Sequence, residues 1–230
     1  MPRALPVATI RAKLMVPLRF ADGYATTARV FTFDGLVDGR EHLAFGLGDR
    51  AGPLTPGTLV GPPPLVRPHS ECLTGDVFGS QRCDCGPQMR EAVELIADTG
   101  GFLLYLRQEG RGIGLYAKLD AYLLQDAGLD TYEANLALGF TEDERDYTVA
   151  AQMLQALGSS RVALLSNNPD KASQLGRLGV TVTERVPTGL HLSPANARYL
   201  ATKAQRGAHT LHVPRCGPPA QWLADDAVAL

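Results

Sequence analysis

The sequence predicts an α/β protein with a single domain, in which an antiparallel, strand-rich N-terminal part leads into a mixed sheet with flanking helices. Three observations support this fold. Apolar and polar residues alternate along the first third of the chain, whereas helical spacing and short apolar runs alternate in the later part. The length of 230 residues, of which 45% are hydrophobic, allows a large buried core.

The N-terminal third is predicted to form antiparallel strands. Alternation runs through residues 8–20, 24–33 and 41–47, and Asp34-Gly35 and Asp38-Gly39 are typical turn pairs. Between Ala51 and Pro68, several Gly-Pro and Pro-Gly pairs favour an extended connector. We expect residues 1–66 to be the strand-rich part of one catalytic domain that spans residues 1–213.

Helices and strands alternate in the rest of the chain. Apolar residues at helical spacing from Met89 to Ile96 precede the apolar run 102–106, which predicts a helix followed by a buried strand. Further helices are predicted from about Ile113, over residues 143–157 and after Asn168-Pro169, with a strand at 161–165. Residues 214–230 are rich in proline, and we expect them to form a mobile tail.

The composition argues against several classes of protein. No apolar run reaches the length of a membrane span, and residues 1–6 lack the apolar core of a secretory signal. The formal net charge is -2, which argues against a general electrostatic affinity for nucleic acids. We therefore expect a cytoplasmic protein with no membrane or nucleic-acid partner, in which any anionic ligand meets a local cluster of cations.

Three of the four cysteines, Cys72, Cys83 and Cys85, lie in one short polar stretch. Three thiolates form an incomplete tetrahedral zinc site, and a catalytic zinc site keeps one position for water, whose pKa the metal lowers. The stretch therefore indicates a hydrolytic centre. Alternatively, Cys216 returns to close a four-cysteine structural site. Disulfides are a weaker alternative, because Cys83 and Cys85 are too close for an easy bridge.

A glycine-rich turn follows the predicted strand 102–106. Gln108-Glu-Gly-Arg-Gly-Ile-Gly114 opens a helix, where backbone N–H groups and the helix dipole attract phosphate. Arg111 would add a planar, two-pronged cation. A plain tight turn explains the glycines equally well. The phosphate interpretation gains support if Arg67, Arg145 and Lys171 converge on the same pocket, which their spacing alone does not establish.

Two other residues have both a structural and a catalytic interpretation. Thr141-Glu-Asp-Glu144 fits a helix capping box, which explains the acidity of Asp143 but not the presence of Arg145 in the same acidic turn. Tyr122 follows Leu115 and Leu119 at helical spacing, and this pattern favours a buried core tyrosine.

The chain closely resembles GTP cyclohydrolase II of riboflavin biosynthesis in four motifs, Ser70-Glu-Cys-Leu-Thr-Gly-Asp76, Arg82-Cys-Asp-Cys-Gly86, Arg107-Gln-Glu-Gly-Arg111 and Asp143-Glu-Arg-Asp146. The resemblance runs from about Arg67 to His209 and is looser before it. Because no dihydroxybutanone phosphate synthase domain precedes it, we expect the monofunctional form.

The resemblance implies a reaction in which GTP and three waters give formate, pyrophosphate and 2,5-diamino-6-(5-phospho-D-ribosylamino)pyrimidin-4(3H)-one. Zinc on the three cysteines would activate water for attack at carbon 8 of the guanine, with magnesium assisting at the phosphates. Asp143 is implied as proton acceptor, Arg145 as the group that attacks the α-phosphate, and Tyr122 as the residue linked to ring opening. Since a guanidinium stays protonated and has no free lone pair, charge stabilisation is the role we prefer for Arg145.

The resemblance also implies a homodimer and a set of GTP contacts. These contacts are Arg67, Pro68, His69, Ser70, Glu71, Gln88, Glu109, Gly110, Arg111, Thr131, Ser166 and Lys171. Two of them depart from the family pattern. Pro68 stands where valine or isoleucine is usual and lacks the amide donor, whereas Ser166 replaces threonine and keeps the hydroxyl.

Three other functions remain open from the sequence. A paralogue would stop at the formamidopyrimidine or serve a secondary pathway, although the presence of Tyr122 favours the complete reaction. A GTP-binding protein would carry a closed, structural zinc and need Cys216 or a histidine as its fourth ligand. A phosphatase-like enzyme with a damaged zinc site would release only pyrophosphate.

Overall fold

A computed structural model of the chain describes residues 5–52, 61–141, 143–197 and 199–200. Seven strands form one sheet in this part of the chain: β1 (Thr9–Arg19), β2 (Ala25–Asp34), β3 (Leu43–Leu47), β4 (Leu65–Ser70), β5 (Gly101–Leu106), β6 (Arg161–Leu165) and β7 (Thr181–Val186). The helices are α1 (Leu73–Asp76), α2 (Cys85–Thr99), α3 (Leu115–Asp126), α4 (Thr131–Ala137), α5 (Thr148–Ala156) and α6 (Pro169–Arg177), with 3-10 turns at Gly48–Ala51 and Glu109–Gly112. The strand order is β1-β2-β3-β5-β4-β6-β7.

The first three strands form the antiparallel part that the alternating pattern predicts. The β1–β2 hairpin turns at Asp22-Gly23, where Gly23 adopts a φ of 92° and the Asp22 carboxylate accepts the N–H of Tyr24. Alternate residues of β2, including Ala28 and Val30, are buried. Strand β3 then pairs antiparallel with β5 and joins this part to the rest of the sheet.

The remaining strands, β5, β4, β6 and β7, are parallel to one another. Helices cover both faces of this half, as parallel strands require. One core cluster contains Ala92 and Ile96 of α2 with Leu103 of β5. The other contains Leu154 of α5 and Leu175 of α6, together with residues of β2, β5 and β6. Because the strands are parallel, the carboxyl ends of β4, β5 and β6 meet at one edge of the sheet.

The mixed α/β fold predicted from the sequence is confirmed, and several elements agree closely. The strand at 161–165 is present, and the helix after Asn168 begins at Pro169. The Asn168 side chain accepts the N–H of Asp170, so asparagine and proline start α6 as their chemistry predicts.

The predicted helix over residues 143–157 is wrong at its start, because α5 begins at Thr148. Glu144 does accept the N–H of Thr141, as in a capping box, but no helix follows at once. Instead, the N–H of Glu144 donates to the carbonyl of Arg111 over 3.0 Å. The acidic segment is therefore a loop held against the turn after β5.

The sequence patterns do not predict every helix and strand of the fold. The connector predicted between Ala51 and Pro68 overlaps the start of β4 (Leu65–Ser70), which pairs with both β5 and β6 and is therefore central in the sheet. Helix α4 begins with a true capping box between Asp130 and Glu133, and neither it nor β7 was predicted. Residues 53–60 of the connector, and the tail 214–230 with Cys216, lie outside the described residues. No described helix combines the length and apolarity needed to cross a membrane.

Candidate functional site

A cavity opens at the edge of the sheet where β4, β5 and β6 end. Its wall comes from the segments that follow these strands and from α2, α3, α4 and α6. The sequence-predicted residues among its lining are Arg67, His69, Ser70, Glu71, Cys72, Cys83, Cys85, Gln88, Glu109, Gly110, Arg111, Tyr122, Thr131, Arg145, Ser166 and Lys171. The fold thus brings together residues that lie more than a hundred positions apart in the sequence.

The three cysteines form a compact cluster of free thiols at one part of this cavity. Cys72 precedes α1, and Cys85 is the first residue of α2. Their sulfur atoms all lie within 4.8 Å of one another, with 3.6 Å between Cys72 Sγ and Cys83 Sγ. Tetrahedral zinc with Zn–S bonds of about 2.3 Å places its sulfurs about 3.8 Å apart. The cluster is therefore able to bind a metal ion and is consistent with zinc.

Gly75 in α1 leaves room for the sulfurs. A Cβ at this position would lie 2.8 Å from Cys83 Sγ and 3.1 Å from Cys72 Sγ. The backbone of α1 therefore packs directly against the cluster, in a space that a side chain would fill. Soft thiolate donors in such a cradle match the preferences of zinc better than those of magnesium or calcium.

The three thiols differ in acidity because they lie against one another. Hydrogen bonds from Cys83 and Cys85, together with the ammonium of Lys118, hold the pKa of Cys72 below its usual value although burial opposes this. The neighbouring Cys72 raises the pKa of Cys83 to about 11, and Cys72, Cys83 and burial raise the pKa of Cys85 well above its usual value. A metal ion bound to all three sulfurs would therefore release protons from Cys83 and Cys85.

The glycine-rich turn after β5 is more specialised than a plain tight turn. Arg111 adopts a φ of 61°, in the left-handed region that residues other than glycine rarely occupy. Its guanidinium lies 4.4 Å from the centre of the Tyr132 ring, and its carbonyl accepts the N–H of Glu144. The strained backbone therefore orients Arg111 towards α4 and the cavity.

Three amides of this turn are bonded within it. The N–H of Gly110 donates to the Glu109 carboxylate, that of Ile113 to the Gly110 carbonyl, and that of Gly114 to the Glu109 carbonyl. The sequence suggested that backbone N–H groups here attract phosphate. Since these three are already bonded, side-chain cations are the better candidates for that role.

The cations Arg67, Arg145 and Lys171 converge on the cavity, as the phosphate interpretation requires. Arg67 donates to Gln88 Oε1 over 2.7 Å and to the carbonyl of Leu165 over 3.2 Å. Burial lowers the pKa of Arg67, although nearby Asp84 counteracts this. Lys171 Nζ donates to the carbonyl of Pro68 over 2.8 Å. Arg67 and Lys171 are buried and held by these bonds, whereas Arg145 is partly buried.

Asp143 and Arg145 form an ion pair with each other. The Arg145 Nε and Nη2 atoms both donate to the Asp143 carboxylate. Burial would lower the pKa of Arg145, but Tyr147 and Asp143 raise it, so the guanidinium stays charged. Burial would raise the pKa of Asp143, but Arg145 lowers it. Arg145 lines the cavity, whereas Asp143 is absent from the described lining residues. Asp143 contributes by orienting the Arg145 guanidinium through these hydrogen bonds.

Tyr122 lies in the wall of the cavity and is only partly buried, which contradicts its interpretation as a core tyrosine. Its ring lies near two cations, with the Arg82 guanidinium 4.7 Å and the Lys118 ammonium 5.8 Å from its centre. Burial raises the pKa of the phenol, although Thr74 and Lys118 oppose the shift. Tyr122 is therefore a neutral hydroxyl near the cysteine cluster.

His69 is buried beside the cysteines and points its Nε2 atom at the carboxylate of Asp76, at 3.1 Å. The same carboxylate accepts the N–H of Cys72 and the hydroxyl of Tyr105. Burial lowers the pKa of His69, although Asp76 opposes the shift. The imidazole is therefore neutral at physiological pH and helps to fix the loop that carries Cys72.

Pro68 does not appear among the described residues that line the cavity, unlike its neighbours in β4. Ser166 does line it, and its hydroxyl accepts the N–H of Asn168 over 3.1 Å. The serine thus keeps the hydroxyl that threonine would supply. Thr131, the first residue of α4, faces the same space.

Sequence reasoning missed several lining residues, among them Arg82, Lys118, Asn167, Thr188 and Tyr199. One signal was available, because Lys118, Tyr122 and Gln125 recur at helical spacing and mark one face of α3. Thr188 reaches the cavity because its side chain and backbone bond Asn167 after β6. No local pattern predicts such a long-range contact.

The chain is similar to known proteins over most of its length. The profile of a family described as GTP cyclohydrolase II matches residues 15–187. The chain is 50% identical to GTP cyclohydrolase-2 of Vibrio parahaemolyticus over 188 residues, which cover 81% of this chain and 90% of that protein. It is 45% identical to GTP cyclohydrolase-2 of Psychromonas ingrahamii over 206 residues, which cover 89% of this chain and 98% of that protein. It is also 53% identical to the riboflavin biosynthesis protein RibBA of Bacillus velezensis over 187 residues, 81% of this chain and 45% of that protein.

Proposed function

The chain belongs to the GTP cyclohydrolase II family of hydrolases, and from this membership we propose that it carries out the complete reaction of riboflavin biosynthesis. GTP would be opened at the imidazole ring to give formate, pyrophosphate and 2,5-diamino-6-(5-phospho-D-ribosylamino)pyrimidin-4(3H)-one. The observation that carries the proposal is the cavity itself. It combines a three-sulfur cluster, a tyrosine beside that cluster and several buried cations in one space.

Cys72, Cys83 and Cys85 would hold the zinc ion. Bound there, zinc would supply Lewis-acid activation of water for attack on the guanine ring. The chain's own residues fix this part of the site through Asp76, which accepts hydrogen bonds from the backbone of Cys72 and from His69 and Tyr105. The fixed loop supports a metal site of defined size.

Tyr122 is proposed to donate a proton or hydrogen bond during ring opening and loss of formate. Tyr122 lies in the cavity wall, and its phenol is neutral. It is near the cysteines, because the Lys118 ammonium lies 5.8 Å from the centre of its ring and 3.1 Å from Cys72 Sγ. A neutral phenol keeps its proton at physiological pH, as a donor must. The presence of Tyr122 supports the complete reaction over one that stops at the formamidopyrimidine.

Arg145 is proposed to stabilise negative charge on the phosphates while pyrophosphate leaves, with magnesium assisting. A permanently charged guanidinium is a poor nucleophile but a good partner for phosphoryl oxygens. Asp143 accepts hydrogen bonds from the Nε and Nη2 atoms of Arg145, so we propose the remaining terminal nitrogen, Nη1, as the donor to the phosphates. Within this arrangement Asp143 orients Arg145, and a role as proton acceptor is proposed from the resemblance alone.

The GTP contacts proposed from the resemblance agree with the cavity in most positions. Of the residues from Arg67 to Glu71, those other than Pro68 line it, and so do Gln88, Glu109, Gly110, Arg111, Thr131, Ser166 and Lys171. We retain the homodimer, the cytoplasmic location and the single domain 1–213 as proposals. Light scattering of the purified protein would test the homodimer.

The test of the function is an assay of the purified full-length chain with GTP, zinc and magnesium. We expect formate and pyrophosphate in equal amounts, with the diaminopyrimidine identified by its mass. Pyrophosphate without formate, a formylated product or binding without turnover would each refute the complete reaction. Cys85→Ser should abolish zinc binding and ring opening.

Cys216→Ser is the matched control, because this cysteine would matter only in a closed four-cysteine site. We expect wild-type zinc content and turnover in this variant. Loss of zinc from Cys216→Ser would contradict a catalytic site with an open position.

A further inference from the structure

A buried lysine on α3 connects the cysteine loop with the turn after β5. Only 11% of the Lys118 side chain is exposed. Its Nζ atom donates to Cys72 Sγ over 3.1 Å, to Thr74 Oγ1 over 2.9 Å and to Glu109 Oε1 over 2.8 Å. An ammonium has three N–H donors, so all of them are used within the protein. Lys118 lines the cavity but retains no donor for a ligand.

Glu109 completes the connection from the other side. Its Oε2 atom accepts the N–H of Leu73 over 2.6 Å, and its Oε1 atom accepts the N–H of Gly110 over 3.0 Å as well as Lys118. The side chain is 9% exposed. Four hydrogen bonds therefore tie residues 72–74 to Glu109, one directly from Leu73 and three through Lys118.

The position of the sulfur contact distinguishes this arrangement from a simple buried ion pair. A lysine that served only to neutralise Glu109 would not need to reach Cys72 and Thr74. Three thiolates around a divalent ion also leave an excess of negative charge, which the adjacent ammonium offsets. The contacts thus act on the metal site and on the Glu109–Arg111 turn together.

We propose that Lys118 is a positioning residue that fixes the Cys72 sulfur relative to the Glu109–Arg111 turn, so that the bound metal and the nucleotide keep one separation. This inference rests on the proposed function only for its kinetic consequence. Its consequence for metal binding follows from the contacts alone.

The experiment compares the wild type with Lys118→Met in the full-length chain. The methionine keeps an unbranched side chain of similar length, one heavy atom shorter, and removes the ammonium. Competition with a chelator measures the zinc dissociation constant, and the near-ultraviolet absorption of cobalt(II) bound to the thiolates reports on their geometry. We expect zinc affinity to fall about 10- to 100-fold, with an altered cobalt spectrum. For GTP we expect kcat to fall, with KM changed less than about threefold, because Lys118 has no donor left for the nucleotide.

Lys13→Met is the matched control, since Lys13 is exposed on β1 and its loss removes the same charge. It should behave as the wild type in every measurement. Unchanged zinc affinity in Lys118→Met, combined with a raised KM for GTP, would show that Lys118 contacts the nucleotide and would overturn the proposal.

A second variant covers the case in which Lys118→Met does not fold, because it leaves the buried Glu109 carboxylate without its cationic partner. Lys118→Met/Glu109→Gln removes both charges and should recover the thermal stability. We expect its zinc affinity to remain low, because the sulfur contact is still missing. Wild-type zinc affinity in the double variant would mean that Lys118 only neutralises Glu109. If the wild type binds zinc but does not open the imidazole ring of GTP, the proposed function is refuted. The zinc affinities of the variants would still decide whether Lys118 positions the Cys72 sulfur.

Discussion

Replacing Gly75 with alanine tests whether the three sulfurs form a metal site of fixed size. The new Cβ would lie 2.8 Å from Cys83 Sγ, whereas ordinary contacts begin at 3.4 Å. Cys83 Sγ would therefore have to withdraw by about 0.6 Å, and Cys72 Sγ, 3.1 Å away, by about 0.3 Å. Metal–ligand distances tolerate deviations of only about 0.2 Å. We expect the zinc affinity of Gly75→Ala to fall about tenfold or more.

The assay is a chelator competition followed by measurement of zinc content after gel filtration. Gly176→Ala provides the control, because Gly176 is exposed on the outer side of α6 and an added Cβ meets nothing within 4 Å. It should bind zinc normally and stabilise the protein by about 0.5–1 kcal/mol, since alanine is the better helix former. If Gly75→Ala binds zinc as tightly as the wild type, the sulfurs do not form a site of fixed size.

Three further predictions concern the cavity. Tyr122→Phe should still consume GTP but accumulate the formylated pyrimidine, because the hydroxyl beside the cysteines is removed; mass spectrometry of the product measures this. Arg145→Met should reduce kcat for pyrophosphate release by about 100-fold or more, and its zinc content should be unchanged. Arg145→Lys should retain part of the activity, because lysine keeps the positive charge. His69→Asn should flatten the pH dependence of stability below pH 6.5, the ordinary pKa of histidine, because burial lowers the pKa of His69.

The sign of the histidine prediction follows from proton binding. Below pH 6.5 the unfolded chain protonates this imidazole while the folded protein does not, so the free energy of unfolding falls as the pH falls. The slope approaches about 1.4 kcal/mol per pH unit and ends at the lowered pKa. Urea unfolding of the metal-free protein from pH 7.5 to pH 5 measures it. Equal slopes in the wild type and His69→Asn would contradict the lowered pKa of His69. Unchanged formate release in Tyr122→Phe would contradict the role of Tyr122 in ring opening, and unchanged kcat in Arg145→Met would contradict the role of Arg145 at the phosphates.

The cysteine cluster was predictable from the sequence because its ligands are local. Cys72, Cys83 and Cys85 lie within a short stretch whose residue types already suit zinc, and the structure brings their sulfurs within 4.8 Å. The antiparallel strands and the helix at Asn168-Pro169 were predictable for a similar reason. Alternation and capping chemistry depend on neighbouring residues, so a local pattern contains most of the information.

The start of α5 and the role of Lys118 depend on distant contacts and were not predictable in the same way. Glu144 accepts the N–H of Thr141, which is one of the two bonds of a capping box. The N–H of Glu144, which would complete the box, donates to the carbonyl of Arg111 instead, and the helix starts later. Lys118 acquires its role only when α1 and the turn after β5 pack against α3. Tertiary contacts thus override a locally correct signal in one case and create a site residue in the other.

Pro68 shows how a departure from a family pattern is accommodated by the sheet. The N–H groups of Leu65 and Glu71 donate to Gly100 and Leu106, so the odd-numbered amides of this segment face β5. The nitrogen of Pro68 therefore faces the β6 side, where the pairing of β4 with β6 ends at Val66. A missing donor at this register leaves no ladder bond unmade. Its carbonyl, on the same side, accepts Lys171 Nζ, so the proline keeps the contact that positions this cation in the cavity.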